Sequence, residues 1–253
     1  MSIEIDLSPR VALITGASQG IGAQLARTFH RAGAVVVLNH PGAGTTGRDA
    51  DSLAAELNGL RPLSAAVVAA DVAQADAVQT MMQSVKARFG GIDFLVNNAG
   101  ILRDRTIAKM SLDEWKAVLD VNLNGVFHCC KFGLEIMRDG GAIVSLGSIA
   151  GIVGFYGQAN YAASKAGVQA LMRVISREAA RRQIRANAIA PGVIETAMAA
   201  TIPETVRAEM LKSVPLARFG ATEDVANVAV FLCSPLAAYV TGQTVEVNGG
   251  WRG

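Results

Sequence analysis

Seven short runs of apolar residues, many of them β-branched, recur along the chain, and longer amphipathic segments separate them. The runs are Val11–Thr15, Val35–Leu38, Ala66–Ala70, Ile92–Val96, Ile143–Leu146, Ile184–Ile189 and Val245–Val247. Strands that are apolar on both faces are typical of a parallel sheet covered by helices, and the intervening segments are long enough for helical crossovers. The pattern predicts one α/β domain over residues 1–253, a doubly wound parallel sheet with helices on both faces.

The composition agrees with a compact protein, because 51% of the residues are hydrophobic and only 17% are charged. A net charge of +2 is too small to indicate a nucleic-acid or membrane partner. The cysteines form no CxxC pair and the first residues contain no apolar run, so we expect reduced thiols, no signal peptide and a cytoplasmic location. His128, Cys129 and Cys130 are consecutive on a predicted helix and would point in different directions, so no metal site is predicted. We interpret the uncharged stretch 140–164 as a buried strand and a loop.

A glycine-rich turn, T-G-A-S-Q-G-I-G at 15–22, follows the first run directly and leads into a predicted helix. Glycines here permit a tight turn, a close backbone approach and close packing of helix on strand, while the helix N-terminus offers free N–H groups to a pyrophosphate. The alternative is that the glycines merely end a strand. The turn residues assigned to a dinucleotide are Gly16, Ser18, Gln19, Gly20, Ile21 and Gly22.

The end of the second run suggests which dinucleotide is used. No Asp or Glu lies between Gly16 and Arg48, so no carboxylate would repel a 2′-phosphate, and NADP(H) is favoured while NAD(H) remains possible. Asn39 and His40 are assigned to this end of the cofactor, with His40 or Arg48 as the nearest positive partner. The alternative for His40 is an ordinary surface-loop histidine.

Two further strand ends are assigned to the cofactor. Asp71 and Val72 follow the third run, where the acid would accept a hydrogen bond from the adenine amino group or cap a helix, or both. Asn98, Ala99 and Gly100 end the fourth run at the central crevice, where ligands bind in such sheets. The alternative there is a simple Asn/Gly turn.

Tyr161-Ala-Ala-Ser-Lys165 is the strongest catalytic signal, because residues four apart lie on one face of a helix. A phenol has a pKa near ~10, and an adjacent ammonium with the cationic nicotinamide would lower it. Tyr161 would then exchange a proton with a hydroxyl or carbonyl, and Lys165 would also hold the cofactor ribose. The alternative is two unrelated helix residues.

Two polar residues complete the candidate catalytic set. Ser148, at the end of the fifth run, would hydrogen-bond the substrate oxygen as charge develops, or is an ordinary loop serine. Asn122 lies in the middle of a predicted helix, where Asn is a poor former. It therefore has a buried polar role, such as holding a water that relays protons to Lys165, or it marks a helix kink.

The segment after the sixth run, residues 193–213, is predicted to be a substrate lid, since it is a long excursion beyond the carboxyl end of a strand. Ile194, Met198, Ile202 and Met210 make this lid partly apolar, and Met198 is a candidate cleft-lining residue.

Together these motifs resemble the short-chain dehydrogenase/reductase family over essentially the whole chain. The resemblance implies a seven-stranded Rossmann sheet, an Asn-Ser-Tyr-Lys tetrad and a homotetramer. In the tetrad, Tyr161 would be the acid/base, Ser148 the carbonyl polariser and Asn122 the relay. Pro191, Gly192, Ile194 and Thr196, in P-G-x-I-x-T, would bind around the nicotinamide carboxamide and the phosphates.

Finer features, such as N-A-G-I-L-R-D at 98–104 and V-N-G-G at 247–250, are similar to the 3-oxoacyl-[acyl-carrier-protein] reductases of fatty acid biosynthesis. This similarity implies NADPH-dependent reduction of a 3-oxoacyl thioester, on acyl carrier protein or CoA, to the 3-hydroxyacyl form. Carrier docking in that subgroup uses two basic positions beside the cleft. One falls near Arg182 and the other at Asp139, with Arg138 adjacent, so carrier docking is left open.

Two other functions remain open. Acetoacetyl-CoA reductases and secondary-alcohol or polyol dehydrogenases share much of the pattern, and a non-catalytic nucleotide-binding regulator would keep the fold without turnover. The intact set of Ser148, Tyr161 and Lys165 favours an enzyme, because a regulator has no use for all three.

Overall fold

The computed structural model describes residues 4–42, 44–196, 199 and 204–251. In these residues a seven-stranded sheet is parallel throughout, with the strand order β3-β2-β1-β4-β5-β6-β7. The strands are β1 Val11–Ile14, β2 Val35–His40, β3 Ala65–Ala69, β4 Ile92–Asn97, β5 Met137–Leu146, β6 Arg185–Pro191 and β7 Thr244–Val247. Each predicted run overlaps one strand, so the predicted fold class is confirmed.

Helices connect the strands as crossovers. They are α1 Gly20–Arg31, α2 Thr46–Leu60, α3 Ala75–Phe89, α4 Leu112–Leu119, α5 Gly125–Ile136, α6 Ala150–Val153, α7 Ala159–Glu178, α8 Glu204–Lys212 and α9 Thr222–Cys233. A π-helical turn, Asp120–Asn124, joins α4 to α5, and short 3-10 turns occupy Ala180–Arg182 and Pro235–Ala237.

Two apolar cores cover the two faces of the sheet. Phe29 of α1, Leu57 of α2 and Val225 of α9 belong to one core. Met81 of α3 and Met172 of α7 belong to the other, together with residues of α5. The helices therefore lie on both faces, as a doubly wound sheet requires.

Strand order places the candidate site. Neighbours of β1 are β2 on one side and β4 on the other, so the chain order reverses between β1 and β4. In open parallel sheets this switch point opens a crevice at the carboxyl ends of the strands. The loops after β1, β4 and β5 meet there, and they carry the glycine-rich turn, Asn98–Gly100 and Ser148.

The uncharged stretch 140–164 divides into the end of β5, the short helix α6, a loop and the start of α7. The strand, the loop and the helix that carries Tyr161 and Lys165 were predicted, but the short helix α6 was not. No helix in the described part of the chain is long and apolar enough to cross a membrane.

A buried carboxylate ties the amino ends of β1 and β4 together. Asp93 is 4% exposed, and its Oδ2 accepts hydrogen bonds from the Val11 N–H at 2.8 Å and from Arg138 at 2.7 Å. Arg10 donates to the other oxygen at 3.2 Å. The carboxylate thus satisfies a buried backbone donor as well as two half-exposed guanidinium groups.

We expect Asp93→Ala to lower the free energy of unfolding by about 2–3 kcal/mol, because it leaves the Val11 N–H buried without an acceptor. Asp139→Ala removes an exposed carboxylate that pairs with Arg182, and we expect it to cost under about 1 kcal/mol. Urea unfolding of the two variants measures both values. Equal losses would contradict a specific role for Asp93.

Candidate active site

The glycine-rich turn after β1 has a backbone that only glycine adopts easily. Gly16 and Gly20 have φ of +62° and +55°, in the left-handed region. A Cβ on Gly22 would lie 2.1 Å from the Gly16 carbonyl oxygen and 2.6 Å from Asn98 Nδ2. The three glycines therefore make the turn tight and bring α1 against β4, as predicted.

Hydrogen bonds from β4 fix this turn. Thr15 Oγ1 accepts from the backbone N–H groups of Asn98 and Ala99 at 3.0 and 3.1 Å. Asn98 Nδ2 donates to the carbonyl oxygens of Thr15 and Gly16 at 3.0 and 2.9 Å. The Asn98 side chain thus stabilises the turn through these hydrogen bonds.

The N-terminus of α1 fits a pyrophosphate. Its N-cap residue, Gln19, makes no side-chain capping bond, and its first turn contains no acid. The position that a Cβ would take on Gly20 is 3.8 Å from Thr196 Cγ2, which is the nearest described atom outside its chain neighbours. Backbone N–H groups and the helix dipole therefore face an open approach for an anion, with the Ser18–Ile21 turn and Thr196 beside it.

The side chains at the end of β2 form hydrogen bonds with backbone groups. Asn39 Nδ2 donates to the Ala70 carbonyl oxygen at 3.0 Å, and Oδ1 accepts from the Gly16 N–H at 3.4 Å. His40 is buried, and its Nδ1 accepts from the Gly42 N–H at 3.1 Å. The alternative of an ordinary surface-loop histidine is therefore wrong, whereas Arg48 in the first turn of α2 is exposed.

Asp71 and Val72 lie at the end of β3. Asp71 Oδ1 accepts from the Ala73 N–H at 3.0 Å, so the carboxylate closes a turn. The N-cap of α3 is instead Gln74, and the helix-cap alternative for Asp71 is wrong. The buried Val72 accepts a hydrogen bond from His128 Nδ1 at 3.0 Å.

The adjacent cysteines of α5 are buried, and they do not share the hydrogen-bond partner of His128. Burial raises the pKa of Cys130 to about 12, opposed by a hydrogen bond from Asn97, whose Nδ2 donates to Cys130 Sγ at 3.4 Å. Neither cysteine is a thiolate near neutral pH, because burial also raises the pKa of Cys129. The described residues contain no group of three or more His, Cys, Asp or Glu side chains arranged to hold a metal.

Lys165 is buried on α7 at 4% exposure, and its ammonium donates to the Leu146 carbonyl oxygen at the end of β5 at 2.7 Å. Its Nζ lies 5.6 Å from the centroid of the Tyr161 ring. Burial lowers the pKa of Lys165 to about 8. The tyrosine and lysine therefore share one face of the helix, as their spacing predicts.

The pKa of Tyr161 is raised, not lowered as the sequence suggested. Burial of the phenol is the largest cause, and the negative charge of Asp104 also raises the pKa, while a hydrogen bond with Ser148 lowers it. A lowered pKa of Tyr161 is therefore not found in the protein without cofactor. The Lys165 ammonium lies against the face of the ring and donates its hydrogen bond to a backbone carbonyl.

Ser148 lies just beyond β5, and its Oγ accepts from the Ala150 N–H at 3.1 Å. The serine carbonyl oxygen accepts from Gln169 Nε2 of α7 at 2.9 Å. A Cβ on Gly151 would lie 2.6 Å from the Ala166 nitrogen. The serine segment is thus packed directly on α7, which brings the Ser148 hydroxyl to the Tyr161 phenol.

Asn122 is fully buried in the π-helical turn, so its surroundings include both of the predicted features, a polar role and a helix irregularity. Its Oδ1 accepts from the Ile101 N–H at 2.8 Å and its Nδ2 donates to the Ile101 carbonyl oxygen at 3.0 Å. A Cβ on Gly100 would lie 3.3 Å from Asn122 Oδ1 and 3.6 Å from Lys165 Nζ. Asn122 therefore holds the loop after β4 beside the lysine.

The predicted P-G-x-I-x-T residues follow β6 on the other side of the crevice. The Gly192 N–H donates to the Val247 carbonyl oxygen at 2.9 Å, next to Pro191 at the strand end. Ile194 is buried and forms an isolated bridge with Gly220. Thr196 Oγ1 donates to the Ile194 carbonyl oxygen at 3.3 Å.

The predicted lid contains α8, and Met210 of that helix packs beside Val214. Met198 and Ile202 lie outside the described residues.

The possible carrier-docking arginines lie elsewhere. Arg182 donates to Asp139 at 2.8 Å, and Arg138 donates to Asp93 at 2.7 Å. Both acids lie near the amino ends of β4 and β5, the opposite edge of the sheet from Ser148. These arginines are not beside the cleft of their own chain.

Sequence reasoning missed three contributors. The Leu146 carbonyl oxygen is a backbone group without a sequence signal. Asp104 accepts from Gln158 Nε2 at 2.9 Å. Asn160 accepts from the Tyr161 N–H at 2.7 Å and donates to the Arg103 carbonyl oxygen at 3.0 Å. Of the three, only Asn160 had a sequence signal, because it is an Asn directly before the candidate catalytic tyrosine.

A glycine-rich turn at the N-terminus of α1, joined through the loop after β4 to a Ser-Tyr-Lys set, is the arrangement typical of a dinucleotide-dependent oxidoreductase. A family model described as Enoyl-(Acyl carrier protein) reductase matches residues 16–252. The chain is 43% identical over 241 residues to the 3-oxoacyl-[acyl-carrier-protein] reductase FabG of Staphylococcus aureus (94% of this chain, 96% of that protein). It is 44% identical over 250 residues to the 3-oxoacyl-[acyl-carrier-protein] reductase of Synechocystis (96% and 97%).

Among solved structures, the chain is similar to a short-chain dehydrogenase/reductase, SDR:Glucose/ribitol dehydrogenase, from Brucella melitensis, with a TM-score of 0.92, 38% identity and 98% of each chain covered. The chain belongs to the short-chain dehydrogenase/reductase family. It is therefore an oxidoreductase that uses a nicotinamide cofactor on a CH–OH/C=O pair, and the prediction of an enzyme is confirmed.

The buried lysine predicts a pH dependence of stability. The folded chain releases the Lys165 proton near pH 8, whereas an unfolded lysine holds it to about 10.4. Between these values the unfolded chain binds more protons, so stability rises with pH. The difference in unfolding free energy, wild type minus Lys165→Met, should therefore be flat below pH 8 and rise above it.

Urea unfolding of both proteins from pH 7 to 10 measures this difference. Lys116→Met, which removes an exposed lysine of α4, is the matched control and should follow the wild type. Parallel curves for wild type and Lys165→Met would contradict the burial of the ammonium.

Proposed function

We propose that this chain reduces the 3-oxo group of an acyl thioester to the 3-hydroxy form with NADPH. The observation that carries the proposal is the approach of Tyr161 to both Ser148 and Lys165. The loop after β4 contacts Lys165 at Gly100 and the glycine-rich turn at Asn98 and Ala99. The relatives named as 3-oxoacyl-[acyl-carrier-protein] reductases, which match nearly the whole chain, support the thioester as substrate.

In this proposal the substrate carbonyl oxygen accepts hydrogen bonds from Ser148 Oγ and Tyr161 Oη. NADPH, when bound, would supply the hydride that the carbonyl carbon accepts. Tyr161 gives its proton to the oxygen as negative charge develops there, so that the C=O bond becomes CH–OH. The raised pKa of Tyr161 keeps the phenol protonated and ready to act as the acid in this direction.

Lys165 and Asn122 support that proton transfer. A cationic Lys165 favours the phenolate that remains, through the charge held against the ring. Asn122 fixes the loop beside the lysine, where a water held by its surroundings would return a proton. Lys165 would also bind the cofactor ribose.

We also propose NADP(H) over NAD(H). The buried end of β2 carries an amide and an imidazole nitrogen that accepts a backbone hydrogen bond, and no carboxylate. Arg48 is exposed in the first turn of α2, just beyond this strand, and is the cation for a 2′-phosphate.

CoA and acyl carrier protein are both candidate thioester carriers, and the homotetramer of the family remains a proposal. A polyol dehydrogenase is not favoured, because the curated relatives named above are thioester ketone reductases.

The first test follows oxidation of NADPH by acetoacetyl-CoA. We expect turnover by the wild type and a fall in kcat of about 10²–10⁴-fold in Tyr161→Phe, since the proton donor is removed. Tyr239→Phe, which changes an exposed tyrosine, is the control. Tight NADPH binding without oxidation, across a panel of ketones, would contradict a reductase and favour a regulator.

The second test concerns the cofactor. Arg48→Ala should lower kcat/KM for NADPH roughly tenfold, the loss of one charged hydrogen bond, and leave kcat/KM for NADH unchanged. Arg177→Ala, at the end of α7, is the matched exposed control. An equal fall in kcat/KM for NADPH and NADH in Arg48→Ala would contradict the assignment of Arg48 to the 2′-phosphate.

A further inference from the structure

A third apolar cluster, separate from the two cores of the sheet, lies beside Ser148. We call it the tail cluster; its buried members are Ile149, Val214 and Trp251, and Val153, Phe155, Val193 and Met210 pack against them. Four chain segments meet in it: the residues after Ser148, the residues after β6, the end of α8 with the residues that follow it, and the C-terminal tail. The tail cluster therefore links the lid to the catalytic serine through side chains that no role has yet explained.

Trp251 is the largest side chain of the cluster and is only 6% exposed. Its ring centroid lies 5.2 Å from that of Phe155, with the planes tilted by 39°. Asn248 Nδ2 donates to the Trp251 carbonyl oxygen at 2.7 Å, and Asn248 Oδ1 accepts from the Gly250 N–H at 3.0 Å. These bonds fold the tail back and hold the indole inside the molecule.

The C-terminal tail also makes close contacts with the residues that follow α8. The Gly249 carbonyl oxygen accepts from the Leu216 N–H at 3.1 Å. A Cβ on Gly249 would lie 2.7 Å from Val214 Cγ1, and one on Gly250 would lie 3.0 Å from Pro215 Cγ. Both glycines have positive φ, so this close approach depends on residues without a side chain.

The tail cluster is next to Ser148, which in the proposed function donates to the substrate carbonyl oxygen. Ile149 directly follows Ser148, and its N–H donates to the Pro191 carbonyl oxygen at 3.0 Å. Val193 directly follows Gly192 on the other side of the crevice. A substrate whose carbonyl oxygen reaches Ser148 therefore has the rest of its carbon chain near this cluster.

We propose that Trp251 is a specificity-determining residue, whose indole limits the apolar room for the acyl chain of the substrate. This inference rests on the proposed function and names the part of the substrate that the C-terminal tail recognises. Substitution by a smaller apolar side chain opens space between Phe155 and Val214. Longer acyl chains then gain apolar contact, and short chains gain none.

The test compares kcat/KM for 3-oxooctanoyl-CoA with that for acetoacetyl-CoA, with NADPH as the reductant. Each buried methylene contributes about 0.8 kcal/mol, roughly fourfold in kcat/KM. The ratio of the longer to the shorter substrate should therefore rise at least about tenfold in Trp251→Leu. Trp251→Phe, which keeps an aromatic ring against Phe155, should return the ratio to near the wild-type value.

Phe155→Leu opens the same cluster from the other side and should shift the ratio in the same direction, so the test survives if Trp251→Leu fails to fold. Trp115→Leu removes the other tryptophan, a part-exposed residue of α4, and should leave the ratio unchanged. Circular dichroism and thermal unfolding confirm that each assayed variant is folded.

The outcomes separate the two proposals. An unchanged ratio in folded, active Trp251→Leu and Phe155→Leu overturns the role of Trp251 while the wild-type turnover upholds the proposed function. A wild type that reduces neither thioester overturns the proposed function, and the acyl-chain role falls with it.

Discussion

The hydrogen bond from the Lys165 ammonium to the Leu146 carbonyl oxygen is the interaction on which the site depends. It joins α7 to the carboxyl end of β5, and so fixes the helix that carries Tyr161 relative to the strand that leads to Ser148. A buried ammonium needs strong acceptors to stay charged. The π-helical turn serves the same end, since it places Asn122 where the amide secures the loop on the other side of the lysine.

A second constraint acts at the glycine-rich turn, where close contacts between backbone atoms determine the shape of the site. The glycine turn approaches α1 and β4 so closely that side chains are excluded. Asn98 and Asn39 supply the hydrogen bonds that a turn of this shape cannot make internally. These amides face the protein, which leaves the N–H groups of α1 as the donors toward an anion.

The sequence predicted the fold well because apolar runs report burial directly. β5 begins at Met137 rather than at Ile143, since Gly140 and Gly141 hide the extended backbone that precedes the apolar run. The Tyr-Lys spacing and the glycine turn were also readable, because both depend on residue type at short range.

Other parts of the site depend on contacts between distant segments, which no local pattern encodes. The direction of the Tyr161 pKa reversed because burial outweighs a lysine whose ammonium bonds to a backbone carbonyl. His40 proved buried because Gly47 of α2 lets the ring pack beneath that helix. Trp251 carried no motif at all, and its position emerges only when the tail folds back on the end of α8.

The separation of the tail cluster from the two main cores has an evolutionary consequence. With the proposed role of Trp251, mutations among its few members would alter the room for the acyl chain while the packing that folds the sheet stays intact, because the large cores share none of those buried side chains. Descendants of such a protein can drift toward new substrates at little risk to folding, and retain the same hydride chemistry throughout.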